Sequence, residues 1–127
     1  MTDMLKYEED NDWVRHSFVF HNANDNGVEI GKLSLMVSPK SMSDKKQMHL
    51  EDLLVYPMYR NQGFGTYIVK RVLVAAEQLE VNFVYALIDS DNPDQLRFFS
   101  RLGRVSNPSD DGRCMVILKD DTGAFQT

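Results

Sequence analysis

Between Leu53 and Val74 the chain runs Leu-Leu-Val-Tyr-Pro-Met-Tyr-Arg-Asn-Gln-Gly-Phe-Gly-Thr and continues into an amphipathic segment. No other stretch constrains the fold as tightly, because it reads as buried strand, turn, glycine loop and helix start in succession. Leu53, Leu54 and Val55 are apolar with strand propensity, and Pro57 ends the strand because it has no N–H to offer a neighbour. Arg60, Gly63 and Gly65 follow at spacings of three and two. Ile68, Val72, Ala75 or Ala76, and Leu79 then recur at the spacing of one buried helical face. Free amides at a helix N-terminus, approached through residues without side chains, favour a phosphate or pyrophosphate.

The flanking chain supplies the sheet. Trp13 to His21 alternates, with Val14, His16, Phe18 and Phe20 set against Arg15, Ser17 and Val19. Asn24-Asp25-Asn26-Gly27 is a hairpin turn signal. Val28 to Val37 therefore returns as an antiparallel partner. Ser38 to Lys46 is polar and turn-rich, and Gln47 to Val55 is the next strand. After a helix ending near Glu80 to Asn82, Phe83 to Ile88 is another buried strand. Asp89 to Pro93 stops that strand and offers N-cap candidates, and a short helix with Leu96, Phe99 and Leu102 on one face closes at Gly103, read as its C-cap. Arg113 to Lys119 is a last strand, and Met4 to Tyr7 is a further short one. The order predicts a mixed α/β (α+β) sheet, largely antiparallel, with a strand–helix–strand unit making one parallel pair.

At 127 residues the chain is read as one domain, 1–127. A net charge of -5 argues against a dedicated nucleic-acid binder, since no basic stripe is present to displace counterions. No apolar run approaches the ~20 residues that span a bilayer, so no membrane role is expected. The first residues lack the basic-then-apolar order of a signal peptide. Cys114 is the one cysteine and sits beside Met115, Val116 and Ile117, which fits a buried structural thiol in a reducing, cytoplasmic setting. His16 and His21 show no metal-ligand spacing, so no metal is expected.

The glycine loop is neither a P-loop nor a dinucleotide fingerprint, because no Gly-Lys-Thr/Ser follows Gly65 and no third glycine is present. Taken with Val55 and Pro57 before it and Asn92 to Arg101-Leu102-Gly103 after the next strand, it resembles the GNAT superfamily of acyl-CoA N-acyltransferases. That family's signature, Arg or Gln, two residues, Gly, one residue, Gly or Ala, is matched by Arg60, Gly63 and Gly65. The resemblance covers roughly residues 28–118 and implies a GNAT fold with a splayed parallel strand pair, its N-terminal helices reduced or absent.

The resemblance also implies roles. Arg60, Asn61, Gln62, Gly63, Phe64, Gly65 and Thr66 would hold the pyrophosphate of acetyl-CoA. Leu53, Leu54 and Val55 would offer main-chain groups to the pantetheine arm, and an amide freed there would polarise the thioester. Asn92 would meet the pantetheine or cap its helix. A primary amine is almost wholly protonated at pH 7, so a base is needed, and His49 and Glu51 stand where family members carry one. Both are expected on the face of Leu53, six and four residues before Val55, with Asp52 opposite unless a bulge intervenes. Phe99 stands along the cofactor where the family often has a proton-donating tyrosine.

The reading is an N-acetyltransferase that moves an acetyl group from acetyl-CoA to a primary amine of a small molecule or protein, by direct attack in a ternary complex. The acceptor's identity is open. A non-catalytic CoA-binding or protein-interaction module is the alternative, motivated by Phe99 and the short N-terminus. Homodimerisation through a sheet edge or the C-terminal strands is compatible with the pattern.

Overall fold

A computed structural model describes residues 13–23, 26–38 and 46–121. The strands are β1 (Val14–Asn22), β2 (Val28–Val37), β3 (Gln47–Val55), β4 (Phe83–Asp89), β5 (Arg104–Val105) and β6 (Arg113–Asp120). The helices are α1 (Phe64–Gln78) and α2 (Pro93–Ser100), with a short 3-10 turn over Pro57–Tyr59. The six strands form one sheet in the order β1-β2-β3-β4-β6-β5. Its neighbours are antiparallel except β3 and β4, which run parallel because α1 carries the chain back between them. The expected order and the parallel pair are both present. The further strand expected over Met4 to Tyr7 lies outside the described residues.

One face of the sheet meets both helices. Leu33, Leu35, Met48, Leu50, Val84, Ala86 and Val116 from the strands join Ile68, Val69, Val72 and Ala76 from α1 and Phe99 from α2 in a single cluster. Burial of so many branched side chains, each contributing roughly 1.5–3 kcal/mol, is the main force closing helices onto sheet. The buried α1 stripe uses Ala76 rather than Ala75 and adds Val69, while Leu79 is 53% exposed. The helix stops at Gln78, before the expected end, because Glu80 takes a positive φ of 60° and the Val81 amide closes back on the Ala76 carbonyl. Cys114 is buried at 4% exposure, as its apolar neighbours foretold.

Gly103 is not a left-handed C-cap. Its φ is not positive, and the C-cap of α2 is Arg101, whose amide reaches the Phe98 and Phe99 carbonyls. A Cβ on Gly103 would lie 2.3 Å from the Ile117 carbonyl oxygen. The glycine is there because β6 passes too close for any side chain.

The other face carries no helix among the described residues. Along β1 and β2, register partners place Arg15 with Met36 and Ser17 with Ser34 on this face, and His16 with Leu35 and Phe18 with Leu33 on the core face. On the core side, an apolar groove of about 260 Å³ opens between β1 and the C-terminal half of α1, lined among others by His16, Phe18, Phe20, Ala75 and Leu79.

Candidate functional site

The parallel pairing of β3 and β4 is short. Gln47, Met48, His49 and Leu50 face Phe83, Val84, Tyr85 and Ala86, and no pair follows. Beyond Leu50 the two strands part, leaving a wedge whose flanks are residues 51–55 and 87–89. A β-bulge marks the point of parting. Ser34 pairs with Asp52 while its neighbour Leu35 pairs with Leu50, so Glu51 is the extra residue on β3. Such an insertion bends its strand and increases the local twist, which turns β3 away from β4.

The bulge also resets which side chains share a face. Leu33 and Leu35 lie two apart on β2 and pair with Leu53 and Leu50, so Leu50 and Leu53 both point to the core. Ser34 and Met36 pair with Asp52 and His49, so those two share the helix-free face. Glu51 reaches that face as well, accepting from Ser34 Oγ at 3.3 Å. The expectation that His49 and Glu51 share the face of Leu53 is therefore corrected: plain alternation fails at the inserted residue. Asp52 joins them by the bulge that the alternation rule left open.

His49 and Glu51 have different surroundings. His49 is half-buried and lies flat against Tyr85, ring centroids 4.8 Å apart and planes 4° from parallel. Burial holds its pKa below the ordinary histidine value, with Arg113 pushing the same way and Glu51 and Asp52 opposing. Glu51 is gripped by Arg15, whose Nε and Nη2 donate to the two carboxylate oxygens at 2.9 and 3.1 Å. That hydrogen-bonded pair holds the Glu51 carboxyl below its usual range. A carboxylate so engaged is a poor proton acceptor; burial weakens the imidazole as a base too, but it keeps the ring neutral and so available to take a proton at neutral pH.

The glycine loop closes the wide end of the wedge. Arg60 Nε donates to the Val55 carbonyl at 2.8 Å, clasping the loop to the end of β3, and Gln62 Nε2 donates to the Met58 carbonyl at 3.0 Å. Asn61 and Gly63 both take positive φ, 62° and 84°. Gly63 is the N-cap of α1 and has no capping side chain. The first intrahelical bond is Tyr67 N–H to the Gly63 carbonyl, so the amides of Phe64, Gly65 and Thr66 have no helical acceptor. A Cβ on Gly63 would meet nothing within 4 Å among the described residues, so the N-cap position itself is uncrowded. Gly65 has another duty: a Cβ there would sit 3.1 Å from the Phe98 ring, so this glycine lets α2 pack against the start of α1. An uncrowded N-cap, three free donors and the positive end of a helix fit a phosphate.

Two other expected residues are placed by α2. Asn92 caps the helix, its Oδ1 accepting from the Gln95 amide at 3.3 Å. Phe99 is 3% exposed and packs in the core cluster. The spacing of Leu96, Phe99 and Leu102 already signalled that packing. Tyr85 is one of four tyrosines, with Tyr56, Tyr59 and Tyr67, that the sequence allows at a cleft without singling any out; the parallel register sets it opposite His49.

The chain matches the family model of the acetyltransferase (GNAT) family over residues 2–103. No curated protein matches it at a significant level. Among solved structures it resembles Arabidopsis thaliana Naa50 in complex with a bisubstrate analogue, CoA-Ac-MVNAL, at TM-score 0.60 and 19% identity, over 72% of this chain and 66% of that one. It resembles Arabidopsis thaliana NAA60 in complex with a bisubstrate analogue at TM-score 0.67 and 13% identity, over 84% and 76% of the two chains. PaiA N-acetyltransferase from Thermoplasma acidophilum in complex with coenzyme A gives 0.64 and 12%, over 93% and 67%. At these identities the likeness is one of fold. No helix among the described residues is long and apolar enough to cross a membrane.

Proposed function

Because the chain belongs to the GNAT acetyltransferase family, we propose that it transfers an acetyl group from acetyl-CoA to a primary amine, by direct attack within a ternary complex. The observation that carries this reading is the wedge between β3 and β4, opening at Glu51 and ending at the free amides of α1. The pyrophosphate would rest on the Phe64, Gly65 and Thr66 amides beside the uncrowded Gly63. The pantetheine would lie between the strands, where the main-chain groups of residues 53–55 on the side away from β2 face no strand.

Bound there, acetyl-CoA supplies an activated thioester. The amine nitrogen forms the new bond to the acetyl carbon, the carbon–sulfur bond breaks, and CoA leaves as thiolate. One proton of the substrate ammonium passes to His49 before attack, directly or through water, the second goes to the departing thiolate, and Glu51 fixes Arg15 and the bulge rather than acting as the base. A thiol has a pKa near ~8.5 and leaves without a strong acid, so a buried Phe99 is compatible with turnover.

Isothermal titration with CoA and acetyl-CoA tests the cofactor site. Binding is expected for the wild type, and Gly63→Asp, which sets a carboxylate where the phosphate would lie, should weaken it by at least about tenfold. No binding at millimolar CoA overturns the proposal. Binding with no acetylation across a panel of amines and peptides would favour a CoA-binding module, the reading that the buried Phe99 supports.

A further inference from the structure

Register partners trace one row across the sheet on the helix-free face: Arg15, Met36, His49, Tyr85, Ile117 and Arg104. Its centre is the His49–Tyr85 stack, one residue before the last β3–β4 pair. Parallel rings with centroids 4.8 Å apart form an offset stack, whereas Phe83 and Tyr85 on the same face are tilted at 42°. A histidine held within 5° of parallel is in the arrangement in which a cationic ring gains from the π-face below it.

We infer that Tyr85 is a positioning residue for the transfer: its ring face fixes the plane of the His49 imidazole beside the wedge and stabilises the imidazolium formed when His49 takes the amine's proton. The inference rests on His49 being the base. Every neighbouring element supplies a group around the imidazole, and these divide cleanly. Glu51 on β3 pairs with Arg15 of β1 and Arg113 on β6 pairs with Asp111 at 2.8 Å, and through space these two act on the imidazole in opposite directions, Glu51 favouring its charged form and Arg113 opposing it. Met36 on β2 is apolar, and Asp52 on β3 is exposed to water, which screens it. Tyr85 is thus the group in direct contact that can respond to charge developing on His49. Burial raises the Tyr85 phenol pKa, so the ring stays neutral throughout the working range.

Three substitutions separate the π-face from mere burial. Tyr85→Leu keeps an apolar cover but removes the face, so the imidazolium loses its support. The acid limb of kcat/KM should move to lower pH, and kcat should fall about tenfold. Tyr85→Ala admits water, so the limb should move to higher pH. Tyr85→Phe keeps the face and should restore kcat to within about twofold of wild type. Proton NMR titration of the His49 ring in the same variants, without substrate, should show its pKa moving in the same directions. If Tyr85→Leu matches wild type in both titration and kcat while His49→Ala is inactive, the inference fails and the base assignment stands. Full turnover by His49→Ala overturns the base assignment, and the inference with it.

Discussion

His49 and Glu51 stand two positions apart, and both have depressed pKa values, by burial for the imidazole and by the Arg15 pair for the carboxylate. For the imidazole, depression by burial means that the neutral, proton-accepting form persists below the ordinary value of 6.5. For the carboxylate, depression by Arg15 means a weaker base below the ordinary 4.5. His49→Ala should therefore lower kcat by about 10²–10⁴, the usual range for losing a general base, while Glu51→Gln should keep most of the rate. The wild-type acid limb should fall below pH 6.5, read from a kcat/KM profile with a small amine acceptor. Equal losses in the two variants would reject this division of labour. The stability linkage has the same sign for both groups. The unfolded chain binds these protons more readily than the folded one, so the stabilisation is complete above the unfolded pKa values and fades as pH falls through the folded ones.

At the scale of elements, most of the architecture was legible because apolar spacing matched each element's period. The alternation of β1 and the Asn-Gly turn signal before β2 corresponded to the β1–β2 hairpin, and the 3.6-residue stripe of α1 to its buried face. What spacing could not reveal was a residue inserted into β3. Leu50, Glu51, Asp52, Leu53 reads as ordinary alternation up to the point where two polar residues adjoin, and only the pairing with β2 shows which one is extra. Gly103 was misread for a related reason. A glycine after a helix has a common local explanation, whereas its true cause is the carbonyl of a strand distant in sequence. Gly103→Ala should consequently lower stability by about 2–4 kcal/mol, because it forces β6 away from the end of α2. Loss of a left-handed cap would cost about 1 kcal/mol. Urea unfolding distinguishes these sizes, and a change below about 1 kcal/mol would count against the close-approach account.

Considered whole, the described molecule is a sheet with both helices on one face, so the helix-free face brings β3 and β4 side chains to the same surface as the wedge. The cofactor loop and the base come from opposite ends of β3, and the bulge lies between them. Glu51 is one residue more than the β2–β3 ladder needs: without it, Asp52 would still pair with Ser34 and Leu50 with Leu35, and every core side chain would stay inside. In most strands a one-residue deletion turns the sequence inside out beyond the cut. Here it should leave the core in place and restore straight pairing. A Glu51 deletion should thus fold with a circular dichroism spectrum like that of wild type, while β4 zips further along β3 and CoA binding is lost. A deletion mutant that unfolds would show that the ladder needs Glu51, and one that folds and binds CoA as wild type does would show that the bulge does not open the wedge. A length change of one codon at this position would separate how the protein holds its shape from what it can hold.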